Sequence, residues 1–233
     1  MLRLVRLFLA GTLGLIAAPA WAETRDEADA RVLEEAFEAL SAKEYEPAIA
    51  KTGEIIARFE AERRANARYG CSAGPGDPPA AVEGATVIPI LQLICTAYFL
   101  RGYALVDIGR RDEAGPDLEA AAAMDPDNDQ FAAELGEWYK TQRQWEKSLE
   151  IFTRASQLID RSLELEIEDK AEVQSIRNAR RCRSYRGIAF NHAELRQWDK
   201  ARAALDKCFA IIPGDEGSQK ELSYINEQSA RDR

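Results

Sequence analysis

The sequence predicts an all-α fold, a solenoid of stacked antiparallel helix pairs that ends in a C-terminal capping helix. Three observations support this prediction. The segments 95–128, 129–162 and 182–215 are each 34 residues long and can be laid over one another. Small and large apolar residues recur at matched offsets within them, and a proline lies near the end of two of them. A period of this length is typical of a helix–turn–helix repeat that packs on its neighbours.

The matched offsets have a simple packing explanation. Offsets 8, 20 and 27 are expected where two helices approach closely, and they hold small residues: Gly102, Ala114, Ala121, Gly136, Ala155, Ala189, Ala201 and Cys208. Offsets 4, 11, 17 and 24 fill the space between helices and hold large ones, among them Tyr98, Leu105, Leu118, Trp145, Phe152, Trp198 and Leu205. Pro126 and Pro213 follow the second helix of their repeats and stop it.

This pattern resembles the tetratricopeptide repeat (TPR) family over about half of the chain. The resemblance implies a right-handed α-solenoid. Three positions depart from it, because Arg101, Asp160 and His192 stand where an apolar residue, a proline and an aromatic residue are usual. A fourth, degenerate copy is predicted at 29–62, where Ala36 and Ala48 match the small offsets.

The first 22 residues are predicted to be a signal peptide. Arg3 and Arg6 form a basic start, an apolar stretch runs from Leu7 to Ala18, and Ala20-Trp21-Ala22 is a cleavage signal that leaves Glu23 first. The alternative is an uncleaved signal anchor. No second hydrophobic span follows, so we expect a periplasmic or secreted protein with no membrane span after cleavage.

Four cysteines in an exported chain suggest disulfides, and three pairings are possible. We favour Cys71–Cys95 and Cys182–Cys208. The latter two residues stand at offsets 1 and 27 of one repeat, which lie at the same end of an antiparallel helix pair. The alternative is that Cys208 is only a small core residue.

The composition argues against several classes of function. With 40 acidic and 31 basic side chains, the net charge of −9 disfavours a nucleic-acid or polybasic membrane binder. The single histidine, His192, stands at a packing offset, and no spacing of cysteines and histidine is typical of zinc. We therefore expect no cofactor, no metal and no catalytic residue.

The chain is predicted to be one helical array. Its expected order is signal peptide 1–22, N-terminal helix pair 23–69, Gly/Pro-rich loop 70–87, two repeats over 88–162, an insertion or extended helix 163–181, a third repeat 182–215 and a capping helix 216–233. The first pair is expected at 24–42 and 45–68. The next helix is expected to begin near Ile88, with Pro89 in its first turn. A long helix is expected from about 170 to Leu195.

In the TPR family, the first helix of each pair lines a concave groove, chiefly through offsets 2, 5, 9 and 12. The resemblance therefore implies these groove residues: Phe99, Tyr103, Val106, Ala133, Glu137, Lys140, Arg183, Arg186 and Phe190. Such a groove would be aromatic at one end and basic at the other, which suits a peptide of some acidic character. Alternatively, Phe99 and Tyr103 pack against a neighbouring helix, and the arginines pair with the acidic stretch 164–172.

These features lead to one hypothesis and two alternatives. The hypothesis is a non-enzymatic scaffold of the cell envelope that binds a protein or peptide partner in its groove. One alternative is an enzyme or accessory subunit of a cell-envelope assembly, in which the repeats only dock a partner. The other is a structural module that stacks end to end.

Overall fold

The computed structural model describes residues 23–72, 86–162 and 170–232. The predicted signal peptide therefore lies outside the described residues, as do 73–85 of the predicted loop and 163–169 of the predicted insertion. The described elements are α1 (Arg25–Ser41), α2 (Tyr45–Glu62), β1 (Arg68–Ser72), β2 (Val87–Leu91), α3 (Gln92–Asp107), α4 (Arg111–Met124), α5 (Asp129–Thr141), α6 (Trp145–Ser162), α7 (Lys170–Glu194), α8 (Trp198–Ile211) and α9 (Glu216–Arg231).

The helices form antiparallel pairs, α1–α2, α3–α4, α5–α6 and α7–α8, and α9 follows as a single terminal helix. This is the all-α solenoid that the sequence predicts. Short polar side chains start several of the helices. Thr24 and Glu27 form a capping box at α1, the Asn128 side chain accepts two backbone N–H groups at α5, and Asp215 caps α9.

The turn inside every pair has the same backbone conformation. One residue adopts a positive φ in each, namely Lys43, Gly109, Arg143 and Arg196. Each stands at offset 15 of its repeat, and the next residue donates its N–H to a carbonyl five positions earlier. This is the Schellman ending of a helix. Because 29–62 contains the same turn, the degenerate copy shares the backbone of the three clearer ones.

The pairs stack in a curved array. The first helices contact one another in sequence, α1 with α3, α3 with α5, α5 with α7 and α7 with α9. Among the described residues, the second helices α2, α4, α6 and α8 make no such contacts with each other. The first helices are therefore closer together than the second helices, which places them on the concave side of the array.

Small residues lie where the helices cross, as predicted. Gly136 and Gly187 lie on two sides of the fully buried Phe152, and a Cβ at either would come within 2.9 Å and 2.6 Å of its ring. The alanines and the cysteine at the small offsets have no exposed surface: Ala114, Ala121, Ala155, Ala189, Ala201 and Cys208. The repeat pattern thus marks the tightest contacts of the core.

The segment between α2 and α3 differs from the prediction. Residues 68–72 and 87–91 form a two-stranded parallel sheet, in which Gly70 lies opposite Pro89 and Cys71 opposite Ile90. The prediction of a helix from Ile88 was wrong, because α3 begins at Gln92. The β-branched residues at 87, 88 and 90 favour a strand, and the proline disfavours a helical conformation in the residue before it.

Two further boundaries differ from the expectation. The second helix ends at Glu62 rather than at 68, since Arg63 is extended and Asn66 has a positive φ. The helix expected from about 170 is present as α7, which includes 170–181 of the predicted insertion. None of the described helices has the length and unbroken apolar character that a bilayer crossing would require.

Both favoured cysteine pairs are together in the structure. Cys71 in β1 is joined to Cys95 in α3, with Cα atoms 6.3 Å apart. Cys182 in α7 is joined to Cys208 in α8, with Cα atoms 4.8 Å apart. The first link fastens the small sheet to the solenoid, and the second fastens the two helices of one repeat.

Candidate interaction surface

The concave surface is formed by the first helices α1, α3, α5, α7 and α9. Three of its predicted residues are used in packing. Phe99 stacks on Phe131, with ring centroids 4.9 Å apart. Val106 packs against the core of the α3–α4 repeat, and Ala133 is 5% exposed beside Phe152. These side chains shape the floor of the surface, and they leave little area for a partner.

Tyr103 is half-buried and remains at the surface. Burial and the neighbouring Asp107 carboxylate raise the pKa of Tyr103 to about 12, so its hydroxyl stays protonated and can donate a hydrogen bond. Tyr45 at the start of α2 shares the same carboxylate, which likewise raises the pKa of Tyr45. A tyrosine in this position offers a partner both an apolar ring and a polar group.

Sequence reasoning missed the most exposed apolar residue of this surface. Phe37 in α1 is 46% exposed, and it is the one large apolar side chain classed as exposed among the described residues. It stands at offset 9 of the copy 29–62, the offset held by Tyr103, Glu137 and Phe190 in the later repeats. The offset itself is the signal, because offset 9 is a groove position in the TPR pattern and the copy 29–62 follows that pattern.

The arginines of α7 pair with acids on neighbouring helices. Arg183 donates to both oxygens of Glu134 in α5 at 2.5 and 2.7 Å, and the Glu134 side chain is 8% exposed. Arg180 lies 3.1 Å from Asp129, and Arg186 lies 2.9 Å from Asp215. The basic end expected from the sequence is therefore neutralised by carboxylates of α5 and of the residue that caps α9.

Burial has opposite effects on the two partners of the central pair. It raises the pKa of Glu134, and the Arg183 guanidinium opposes that rise. It also tends to lower the pKa of Arg183, but the Glu134 carboxylate outweighs burial and the net pKa is raised. This charge-assisted contact, in which one nitrogen of Arg183 meets both oxygens of Glu134, holds α5 against α7 on the concave side. Losing Arg183 would leave the buried Glu134 carboxylate without its compensating charge.

The C-terminal end of the surface is an aromatic cluster. Phe190 stacks on Tyr224 of α9, with ring centroids 5.8 Å apart, and meets Trp145 edge-on at the same distance. The ammonium of Lys140 lies 4.5 Å from the centre of the Phe190 ring and 2.9 Å from Glu137. One connected cluster thus surrounds Phe190, and its members are Trp145, Tyr224, Lys140 and Glu137.

One carboxylate in this region is incompletely satisfied. The Oε1 atom of Glu221 in α9 is buried and has no hydrogen-bond partner. Burial raises the pKa of Glu221, and the nearby Glu137 and Glu194 raise it further, while Lys140 and Arg186 lower it. The group therefore favours its protonated form more than a free glutamate does.

The single histidine of the chain packs against the turn between α7 and α8. His192 is partly buried, and its Nδ1 lies 2.9 Å from the side-chain oxygen of Gln197, the residue that precedes α8. Burial lowers the pKa of His192, so the ring is neutral near pH 7. Asp215 comes close to Cys182 and Cys208, but those sulfurs are joined in a disulfide, which removes the thiolates that a metal would bind.

Known proteins share this architecture. No family model matches the chain, and no curated protein matches it. A crystal structure of MamA protein is 12% identical with a TM-score of 0.55, and the match covers 88% of this chain and 84% of that one. A putative kinesin light chain of Podosopora anserina with nearly identical TPR-like repeats is 15% identical with a TM-score of 0.56, covering 88% of each chain. At these identities the likeness shows the fold alone, which is a TPR-type solenoid.

Proposed function

We propose that this protein is a non-enzymatic interaction scaffold that binds a segment of a partner protein along its concave surface. The observation that carries the proposal is the exposed ring of Phe37, in the same register as Tyr103 and Phe190. Aromatic side chains that remain accessible on a curved helical surface are the residue type that anchors protein partners. The TPR-type fold supplies the extended concave face.

The contacts within the surface indicate what kind of segment it binds. The arginines at 183 and 186 already pair with Glu134 and Asp215, so they contribute little attraction for an acidic peptide. Affinity then depends on apolar anchors placed over Phe37 and Tyr103. We propose an amphipathic or extended segment with bulky apolar side chains spaced along it, rather than a strongly acidic tail.

Site-specific photo-crosslinking in the native host tests this proposal. A photoreactive phenylalanine analogue is placed at Phe37 or at Tyr103, and as a control at Glu150, which is exposed on the second helix α6. We expect a discrete adduct with the same protein from both concave positions and none from the control. The crosslinked segment is then made as a peptide and titrated against the purified scaffold.

Titration of this peptide tests whether the concave surface binds it. Phe37→Ala is expected to weaken binding of that peptide by about tenfold, the loss of one aromatic hot spot. Glu150→Ala is expected to leave the affinity unchanged. Adducts that form equally well from α6, or a peptide whose affinity does not change with F37A, would contradict the proposed surface.

We infer that the scaffold works in the cell envelope, as a periplasmic or secreted protein. Two cysteine pairs at bonding distance are consistent with an oxidising compartment. The apolar stretch and the Ala-Trp-Ala sequence before Glu23 support export. Intact mass measurement of the protein from its native host is expected to show a chain that starts at Glu23 and has no free thiols. A chain that keeps Met1 and four reduced cysteines would refute this location.

A further inference from the structure

A feature of a different kind, a cavity, lies at the N-terminal end of the solenoid. A cavity of about 340 Å³ opens between α2, β1, α3 and the end of α4. This volume is within the roughly 300–1,000 Å³ typical of small-molecule sites. None of the residues assigned above to the concave surface lines it. Its walls carry three aromatic rings, Phe59, Tyr69 and Tyr98, and charged residues lie among the lining side chains.

The apolar part of the cavity is rigid. Phe59 meets Tyr69 edge-on at 5.2 Å between ring centroids and Tyr98 at 6.3 Å, so the three rings brace one another. The Tyr69 hydroxyl accepts the backbone N–H of Arg64 at 2.7 Å. The strand that carries Tyr69 is fastened to α3 by the disulfide at Cys71. A cavity with fixed walls needs no ordering when a ligand enters.

The helix on the other side keeps the cavity open. Ala120 and Ala123 of α4 contribute only methyl groups, and Ala123 is exposed. Longer side chains at these two positions would fill the space between α4 and the aromatic rings. The opening thus depends on two small residues at the end of one helix.

The rim of the cavity is positively charged. The Glu60 carboxylate already has partners in the cavity wall. It accepts a hydrogen bond from the Tyr98 hydroxyl, and it lies 2.6 Å from the Nε of Arg63. Burial and this carboxylate raise the pKa of Tyr98, which keeps the hydroxyl protonated as a donor. Arg68 also lines the cavity, and it is exposed and makes no ion pair among the described residues. Two arginines and one glutamate therefore line the cavity, which leaves one positive charge in excess.

We propose that this cavity binds a small amphipathic anion, a medium-chain hydrocarbon with a terminal carboxylate. The hydrocarbon would lie against Phe59, Tyr69 and Met124, and the carboxylate would meet Arg68 at the rim. Apolar walls with one charged group at the mouth select a ligand of this shape and charge. This site is separate from the partner-binding surface, and its occupation does not require the proposed function.

Calorimetric titration with octanoate tests the site, with octylamine and octanol as probes of the same length and different charge. We expect saturable binding of octanoate at one site per chain, weaker binding of octanol and none of octylamine. Ala123→Phe, which fills the opening, is expected to abolish octanoate binding. The matched control is Ala203→Phe, which places the same ring on an exposed position of α8, and it is expected to bind as the unaltered protein does.

A charge reversal gives an independent measurement. Arg68→Glu is expected to weaken octanoate binding by about tenfold, as expected for loss of a charge-assisted contact. Arg111→Glu reverses a charge at the opposite end of α4 and should leave affinity unchanged. Octylamine that binds as tightly as octanoate would overturn the proposal. So would the absence of octanoate binding, or an affinity that neither A123F nor R68E alters.

Discussion

At the scale of single residues, the core of the central repeats depends on the Phe152 ring, which packs between two glycines. Phe152 has no exposed surface, and it fills the space that Gly136 and Gly187 leave open on α5 and α7. Neither glycine has a positive φ, so both are required for space and not for backbone conformation. The helix propensity lost at each, about 1 kcal/mol relative to alanine, is offset by the close approach of the helices.

Gly187→Ala is expected to destabilise the protein by about 1–3 kcal/mol, because the new Cβ would overlap the Phe152 ring. Gly53→Ala is the matched control. A Cβ at Gly53 in α2 would meet only the end of the Arg101 side chain at 3.8 Å, so this change should stabilise by up to about 1 kcal/mol. Denaturant unfolding measures both. The double variant G187A/F152L is expected to lose less stability than the sum of the losses in the two single variants. Strict additivity would contradict the steric explanation.

Glu221→Gln tests the buried carboxylate of α9. The folded-state pKa of Glu221 is raised above its ordinary value of 4.5, so the folded protein binds this proton more tightly than the unfolded chain does. Stability contributed by the protonated group is present below pH 4.5 and is lost as the pH rises through the raised pKa. The glutamine variant has no such loss, and we therefore expect it to be the more stable protein at pH 7.

Unfolding measured across pH provides the check on that expectation. The advantage of E221Q should disappear as the pH falls below 4.5, where both forms of the site are neutral. Glu34→Gln, at an exposed position of α1, is the control and should change stability by less than about 0.5 kcal/mol at any pH. An E221Q variant that is less stable at pH 7 would show that the carboxylate is needed in its charged form.

Individual residues also show what the sequence could predict. Small residues at the crossing points follow directly from the repeat, and the structure confirms them. Arg101 departs from the repeat pattern for a reason that the pattern itself does not show. Its guanidinium makes two hydrogen bonds to the buried carboxylate of Asp117, at 2.6 and 2.7 Å. A compensating pair of this kind depends on two positions in different helices, which a single sequence does not link.

At the scale of elements, the turns repeat more faithfully than the side chains do. Positive φ at offset 15 is held by lysine, glycine and two arginines, so residue type does not mark it. The parallel strands were missed for a related reason. Pairing 68–72 with 87–91 is a contact distant in sequence, and each strand is only five residues long. Such a sheet is marginal alone and depends on its attachment to α3 and α4.

The two disulfides should therefore stabilise different parts of the protein, although they close loops of similar length. Replacing Cys182 and Cys208 by alanine is expected to lower the free energy of unfolding by about 3 kcal/mol, because the link joins residues 26 apart in sequence and so restricts the unfolded chain. Amide exchange should then increase throughout α7 and α8. Replacing Cys71 and Cys95 should increase exchange mainly in β1 and β2. If exchange in the strands stayed slow without that link, packing rather than the disulfide would hold the sheet.

At the scale of the molecule, the stack of first helices accounts for the curvature. The concave side is crossed by partly buried ion pairs from α7 to α5 and to the cap of α9, while the backbones of the second helices do not approach one another closely among the described residues. The sequence predicts this architecture because each repeat must bury its apolar face on the next. It does not predict the chemistry of the surface, since whether Arg183 is free or paired depends on the register between neighbouring repeats.

The end of the array shows why the last helix is needed. α9 covers the final repeat with Ile225, which is fully buried against Leu205 and the alanines of α7 and α8. A chain that stops at Asp215 is expected to expose this face and to associate, which light scattering at two concentrations would detect. Ile225→Glu should act in the same direction, whereas Ser223→Glu, on the exposed side of α9, should leave the association state of the full chain unchanged. A truncated chain with the association state and melting temperature of the full chain would mean that the apolar face of the last repeat does not need a cap.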